Sequence, residues 1–147
     1  MNEFVYPEIK CGLYIVSLPV GCISDISFRA LHMLSNSDYV AGEDTRNVRS
    51  LFKLLKISKS IKSIISYHDH SSSYTRDKII DLIRQGKSVA LVSDAGTPLI
   101  SDPGYKLVKT TIEEGFEVFS VPGPSSVIAA LTVSGLPTDT FSFLGFL

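Results

Sequence analysis

The sequence has few cysteines, and its acidic and basic side chains nearly balance. Its 147 residues include only Cys11 and Cys22 and carry a formal net charge of -1. Two cysteines without framework spacing exclude a disulfide-stapled secreted domain and indicate a reduced, cytoplasmic protein. The near-zero net charge excludes a global field that would attract the chain to nucleic acid or to a membrane.

The sequence also lacks the motifs and apolar segments that are typical of several common protein classes. No apolar run is long enough to span a membrane, and the N-terminus has no basic start followed by an apolar stretch, so we expect neither a membrane anchor nor a signal peptide. No GxGxxG follows the first apolar segment and no GxxxxGK[ST] occurs, which argues against a dinucleotide-binding fold and a P-loop NTPase. The length fits one domain, residues 1–147, with a core of its own.

What is present is an alternation of short apolar segments with segments of helical periodicity. This alternation predicts an α/β fold, a doubly wound and mostly parallel sheet with flanking helices. A nearly all-apolar helix at 125–134 is expected to be buried, and helix N-caps are expected at Ser24 or Asp25 and at Asp102. Strands are expected at 13–18, 39–41, 61–67, 89–92, 117–121 and 141–147.

A polar turn follows each of the first five strands. The carboxyl ends of parallel strands meet at one edge of the sheet, where open α/β sheets bind their ligands, so we interpret the turns as one site. The most elaborate turn, SDAGTP, follows the apolar run at 89–92. The five turns lie at 19–21, 43–46, 68–70, 94–98 and 122–126.

Two of these turns carry candidate ligand-binding groups. Ser125 and Ser126 begin a helix, whose free amides and dipole suit a carboxylate or a phosphate. Ordinary capping by Ser125 is the alternative. Asp94 and Thr97 offer hydrogen bonds to a ribose or an amine, unless Asp94 only closes an Asx-turn on its own backbone.

Two further turns carry candidate proton acceptors: Glu43, Asp44, His68 and His70. Asp44 or Thr45 is equally suited to cap the following helix, and both roles are compatible. The two histidines share a face if they lie on a strand, as a pair of metal ligands would. We expect no metal, because the cysteines and His32 are distant in sequence.

The charges are unevenly distributed along the chain. No Asp or Glu occurs from Thr45 to His68. The spacing i, i+3, i+7, i+10 predicts one basic stripe on a helix, formed by Arg46, Arg49, Lys53 and Lys56. Such a run is often only a solvated surface, but a face without mixed signs repels itself, which favours contact with nucleic acid.

Several segments together resemble one family. LYIVSLPVG, SDIS, GEDTR, YHDH, SDAGTPLISDPGY, PGPSS and SGLPTDTFSFLGFL are similar, in this order, to the N-terminal half of the ribosomal RNA small-subunit methyltransferase I family, which is of the tetrapyrrole-methylase type. The resemblance implies the N-terminal domain of a two-domain fold, with the second domain absent from this chain. It also implies S-adenosylmethionine-dependent 2′-O-methylation of a cytidine in small-subunit (16S) ribosomal RNA.

The resemblance assigns residues and partners as well. The family commonly has TPIGN in its first turn, where this chain has LPVGC, and the pattern selects no proton acceptor. The implied partners are small-subunit ribosomal RNA or the assembled subunit, and a second copy of the chain, because relatives of this fold are dimeric. The alternatives are a precorrin-type or diphthine-type methylase, or a non-catalytic RNA-binding or assembly module. The implied cofactor-binding residues are Val20, Asp94, Gly96, Thr97, Ile100, Ser125 and Ser126.

Overall fold

The computed structural model describes residues 5–60, 63–68 and 73–146. Strands and helices alternate along this part of the chain, as the sequence predicted. Its strands are β1 (Gly12–Val16), β2 (Tyr39–Gly42), β3 (Ile64–Ser66), β4 (Ser88–Val92) and β5 (Val118–Val121). Its α-helices are α1 (Phe28–Asn36), α2 (Thr45–Leu54), α3 (Ser73–Arg84), α4 (Tyr105–Glu113) and α5 (Ser126–Val133), and a short 3₁₀ helix, Ile23–Asp25, precedes α1.

The strands form one sheet in the order β3-β2-β4-β1-β5, and every pair of neighbours is parallel. β4 lies in the middle, with Ala90 opposite both Tyr14 of β1 and Val40 of β2. The chain changes direction across the sheet between β3 and β4, as doubly wound sheets do. The predicted α/β fold class is therefore confirmed.

Helices cover the two faces of the sheet because side chains alternate along each strand. In β4, Ala90 and Val92 join the core under α1 and α2, whereas Val89 and Leu91 join the core under α3 and α4. Every residue of β4 is buried, as its continuous apolar run predicts for a central parallel strand. No helix in the described ranges is long and apolar enough to cross a membrane.

Two helix starts differ from the prediction. Ser27, not Ser24 or Asp25, caps α1, and its hydroxyl accepts a hydrogen bond from the amide of Ala30 (3.0 Å). The earlier residues are already used in the 3₁₀ turn. Gly104, not Asp102, precedes α4. The chain between Pro98 and Gly104 passes through two residues with positive φ, Leu99 (73°) and Ser101 (56°), which delays the helix.

The C-terminal part of the chain also differs from the prediction. No residue of α5 is buried, although the apolar sequence predicted a buried helix. Residues 141–146 form no strand and are exposed, and Leu147 lies outside the described residues. An apolar helix needs a covering layer to be buried, and the described part of this chain does not supply one for α5.

Candidate functional site

The turns after β1, β4 and β5 are joined at the carboxyl edge of the sheet. The amide of Leu18 donates to the carbonyl of Gly96 (2.8 Å), and the amide of Gly96 donates back to Leu18 (3.1 Å). Gly96 has a φ of +70°, a conformation that favours glycine. This reciprocal pair fixes the turn after β4 against the turn after β1.

A chain of hydroxyl groups extends this connection to the turn after β5. Thr97 Oγ1 donates to the carbonyl of Pro124 (3.1 Å) and lies 2.8 Å from the hydroxyl oxygen of buried Ser17. A threonine hydroxyl has one hydrogen, so Ser17 is the donor in that contact. A Cβ on Gly123 would lie 3.0 Å from the Cβ of Ser17, so these turns approach closely and leave little room for a side chain there.

Thr97 was predicted to bind a ligand, and Ser17 was not predicted at all. The donor capacity of Thr97 is used inside the protein, so its hydroxyl can offer a ligand only a remaining lone pair. Ser17 interrupts the apolar segment at 13–18, which is the only sign of its role in the sequence.

An open cleft of about 240 Å³, the α5 cleft, lies between the turn after β4 and the start of α5. Its walls combine main chain at Gly96 with apolar side chains of Ile100, Val127 and Phe143. Five of the seven residues implied as cofactor-binding line this cleft: Gly96, Thr97, Ile100, Ser125 and Ser126.

A second open cleft of about 180 Å³, the α2 cleft, lies on the other side of the same turn. Asp94 lines it together with Asn47, Leu51 and Leu54 of α2. Val20, the remaining implied cofactor residue, packs beside the turn, 3.6 Å from where a Cβ on Gly96 would be. The turn after β4 therefore separates two clefts and contributes residues to both.

The structure bears on the roles that the sequence left open for Asp94 and Ser125. The Ser93 hydroxyl donates to the carbonyl of Ala95 (2.9 Å) and so closes the turn. Within the described ranges, Asp94 makes no side-chain hydrogen bond of the kind an Asx-turn requires. Ser125 occupies the N-cap position of α5 without a side-chain cap hydrogen bond, so its hydroxyl leaves the first amides of the helix uncapped.

Asp102 is a further acidic residue of the α5 cleft, and the sequence had suggested for it only the role of a helix cap. Partial burial raises the pKa of its carboxyl group, and the nearby negative charge of Asp94 raises it further. The carboxyl group of Asp102 is thus more easily protonated than that of an ordinary aspartate.

The candidate proton acceptors follow β2 and β3, on the α2 side of the turn after β4. Asp44 caps α2 by accepting from the amide of Arg46 (2.8 Å), and its carboxylate pairs with the Arg46 guanidinium (2.7 Å). These hydrogen bonds lower the pKa of Asp44 to about 2. Glu43 is exposed and His68 is half-buried, whereas His70 lies outside the described residues.

The predicted basic stripe is only partly on α2. The helix ends at Leu54, and Lys56 follows in the next turn with a φ of 55°. Arg46, Arg49, Lys53 and Lys56 are all exposed. Among the residues that the structure describes, no group of three or more His, Cys, Asp or Glu side chains could hold a metal ion.

The sequence over most of this fold assigns the chain to a class of methylases. The sequence model of the tetrapyrrole (corrin/porphyrin) methylases matches residues 12–145, and the chain belongs to this family. Its relatives include ribosomal RNA small subunit methyltransferase I of Mesorhizobium japonicum, 49% identical over 146 residues, which are 99% of this chain and 49% of that protein. The enzyme of the same name from Rickettsia prowazekii is 50% identical over 95% of this chain and 49% of its own length.

Solved structures share the fold at lower sequence identity. Uroporphyrin-III-C-methyltransferase from Thermus thermophilus has a TM-score of 0.62 and 23% identity over 86% of this chain and 54% of its own. A diphthine synthase has a TM-score of 0.65 and 17% identity over 85% of this chain and 49% of its own. The chain spans about half the length of the curated relatives it matches.

Proposed function

We propose that residues 1–147 are the N-terminal methylase domain of an enzyme that methylates the 2′-hydroxyl of a cytidine in small-subunit ribosomal RNA, using S-adenosylmethionine. Such a substrate implies a cytoplasmic location. The identity of 43–50% to ribosomal RNA methyltransferases, against 17–23% to the porphyrin methyltransferase and diphthine synthase structures, favours RNA over the alternative substrates. The convergence of five implied cofactor residues in the α5 cleft carries the proposal.

The α5 cleft suits the chemical parts of S-adenosylmethionine. The uncapped amides at the start of α5, together with the helix dipole, suit its carboxylate. The main chain at Gly96 has no side chain to obstruct it, and a Cβ there would meet only Val20. Ile100 and Phe143 offer apolar surface for the adenine ring. The residues present therefore fit the cofactor.

When bound, S-adenosylmethionine supplies a methyl group on a positively charged sulfur, which is an activated donor. The main task of the protein is then to hold donor and acceptor in line. The hydrogen bonds from Ser17 to Thr97 and from Thr97 to Pro124 hold two walls of the α5 cleft in a fixed relation. We propose that they keep the start of α5 in register with the turn after β4.

The acceptor hydroxyl must lose a proton, and a positioned base contributes roughly 10²–10⁴-fold to such a reaction. Asp44 is poorly suited, because a carboxyl group with a pKa of about 2 that already pairs with Arg46 is a weak base. Glu43 directly follows β2, whose last residue, Gly42, is in register with Val92 of β4. We therefore propose Glu43 or His68 as the proton acceptor, with the ribose approaching from the α2 side of the turn after β4.

α5 and the residues after it present an exposed apolar face, which indicates contact with a further part of the enzyme. Val133, Leu136, Leu144 and Phe146 are all more than two-thirds exposed. We propose that this face is covered by the second half of the enzyme or by a second copy of the chain in a homodimer, since contiguous apolar surface marks contact sites.

Two measurements test the proposal. In the first, S-adenosylmethionine is titrated into the chain and followed by amide chemical shifts, which detect millimolar binding. We expect shifts at Gly96 and Ser126, and at least tenfold weaker binding by Ser126→Glu, whose carboxylate would occupy the place of the cofactor's. A glutamate in the first turn supports a helix, so folding is preserved. The control, Ser58→Glu, places the same side chain in an exposed loop.

The second measurement tests the reaction. The chain replaces the matching residues of the Mesorhizobium japonicum relative, and the chimera is assayed for methyl transfer to small-subunit RNA. A 2′-O-methyl group blocks alkaline cleavage of the next phosphodiester, so we expect the label in an alkali-resistant dinucleotide that contains cytidine. Label on mononucleotides would indicate base methylation and contradict the proposed reaction. Unchanged cofactor affinity in Ser126→Glu would contradict the proposed cofactor site.

A further inference from the structure

The outer face of α2 and the turn after it carries only positive charge. Arg49, Lys53 and Lys56, here called the basic face, are exposed, and the sequence has no Asp or Glu from Thr45 to His68. Across the described ranges, none of the three makes a salt bridge or a side-chain hydrogen bond. These cations are therefore available to a partner.

Neighbouring cations are used differently. Arg46 pairs with Asp44, and Lys59, which is partly buried, donates to the carbonyls of Leu34 and Ser37 at the end of α1. On the opposite face of the sheet, cations of α3 and α4 pair with acids, as Arg84 does with Glu114 (2.7 Å). A face made only for solubility would show such mixed signs, and the basic face does not.

A shallow groove of about 280 Å³ runs beside the basic face. Ile57 and Ile64 contribute apolar surface to it beside the buried ring of Phe52, and Arg49, Lys53 and Lys59 line it as well. Positive charge along an apolar groove is the arrangement by which proteins hold single-stranded nucleic acid, with phosphates on the cations and sugars or bases on the apolar surface.

The position of α2 links this groove to the proposed site. One flank of the helix, with Asn47 and Leu51, lines the α2 cleft beside Asp94, and the other flank carries Arg49 and Lys53. Arg49 and Lys53 are four residues apart, about 6 Å along the helix axis, and Lys56 lies in the turn that follows. An RNA strand whose target ribose approaches from the α2 side of the turn after β4 would therefore pass the basic face within a few nucleotides.

We propose that the basic face binds the phosphates of a single-stranded segment of small-subunit ribosomal RNA that flanks the methylated nucleotide. This inference rests on the proposed function, because it identifies the partner as RNA. It adds a binding surface outside the two clefts, which acts on affinity for the substrate and leaves binding of the methyl donor unchanged.

The test measures the binding of a fluorescein-labelled, 12-nucleotide single-stranded RNA to the chain by anisotropy over a range of salt concentrations. The variant Arg49→Glu/Lys53→Glu/Lys56→Glu is expected to bind at least tenfold more weakly. Its salt slope should be smaller by about 2, since each phosphate contact on a single strand contributes about 0.7. A second variant with glutamine at the same positions keeps the test valid if charge reversal impairs folding.

The matched control reverses three exposed lysines on α3 and α4, Lys78, Lys106 and Lys109, and so makes the same change in net charge on the other side of the sheet. It should bind RNA within twofold of the unaltered chain. Equal losses in both triple variants would reduce the effect to net charge and overturn the proposal, as would an unchanged affinity of the α2 variants.

Two further results separate this inference from the proposed function. The S-adenosylmethionine titration should be the same for the α2 variants and the unaltered chain, so a failure of the RNA surface would leave the cofactor result standing. Polyglutamate of similar length is the competing probe, and binding as tight as that of RNA would assign the face to an acidic protein and overturn the RNA proposal.

Discussion

Two apolar segments of this chain lie in opposite surroundings. Every residue of β4 is buried, whereas no residue of α5 is, and Ile128 and Val133 of α5 are 48% and 84% exposed. Both segments are short, contain no charged residue and are rich in branched apolar side chains. Apolar composition therefore indicates that a segment is to be covered, but it does not indicate which part of the protein covers it.

The reason for the difference lies in the position of each segment in the sheet. β4 has β2 and β1 as neighbours and helices on both faces, so each of its side chains meets a layer supplied by the same chain. α5 follows β5, the edge strand beside β1, and the described residues after α5, 134–146, form no strand or helix that packs on it. The comparison leads to three predictions, in order of decreasing effect.

The largest effect is expected where the covering layer is complete. Leu91→Ala in β4 should lower the free energy of unfolding by about 2–5 kcal/mol, because it removes a fully packed side chain and leaves a cavity. Ile128→Ala in α5 should cost less than about 0.5 kcal/mol, as exposed substitutions do. Urea unfolding at low protein concentration measures both. Equal costs would mean that α5 is covered in the isolated chain and would break the comparison.

The exposed segment should make the chain self-associate. Light scattering is expected to show a mass that rises with concentration, and Val133→Glu/Phe146→Glu should weaken this association at least tenfold, since two charges then lie on the apolar face. The control, Tyr74→Glu/Tyr105→Glu, changes two aromatic residues on other helices that are also at least two-thirds exposed, and it should leave association unchanged. An unaltered chain that stays monomeric at high concentration would contradict this prediction.

The same comparison shows what could be predicted from the sequence. Five of the six predicted strands, and their order along the chain, followed from local periodicity, whereas residues 141–146 form no strand. The apolar run at 89–92 is typical of a strand buried on both faces, and β4 is such a strand. The burial of α5 was wrong, because it depends on a surface that local periodicity does not describe. The partners of hydroxyl groups were equally inaccessible, since Ser17 meets Thr97, a residue 80 positions away.

The resemblance to a family predicted more of the candidate site than periodicity did. It brought together residues from three turns, and five of them line one cleft. It did not indicate how those turns are held. Asp102 lines the α5 cleft, and Ser17 lies behind it, in contact with Thr97. Neither was among the candidate site residues, because the pKa shift of Asp102 and the hydrogen bond of Ser17 depend on burial and contacts that exist only in the folded chain.

The last of the three predictions concerns Ser17, at the boundary between the covered and the open region, where the expected loss of stability is smaller than at Leu91. This side chain is 2% exposed, and its hydroxyl donates to Thr97, which in turn donates to Pro124 beside the start of α5. Ser17→Ala removes one neutral hydrogen bond and should lower the free energy of unfolding by about 1 kcal/mol. Because the two walls of the α5 cleft are then less firmly joined, S-adenosylmethionine should bind several-fold more weakly to the folded variant.

Urea unfolding and the chemical-shift titration measure the two effects, with Ser58→Ala in an exposed loop as the control. A loss of stability without any loss of cofactor affinity would mean that Ser17 stabilises the core alone and does not support the cofactor site.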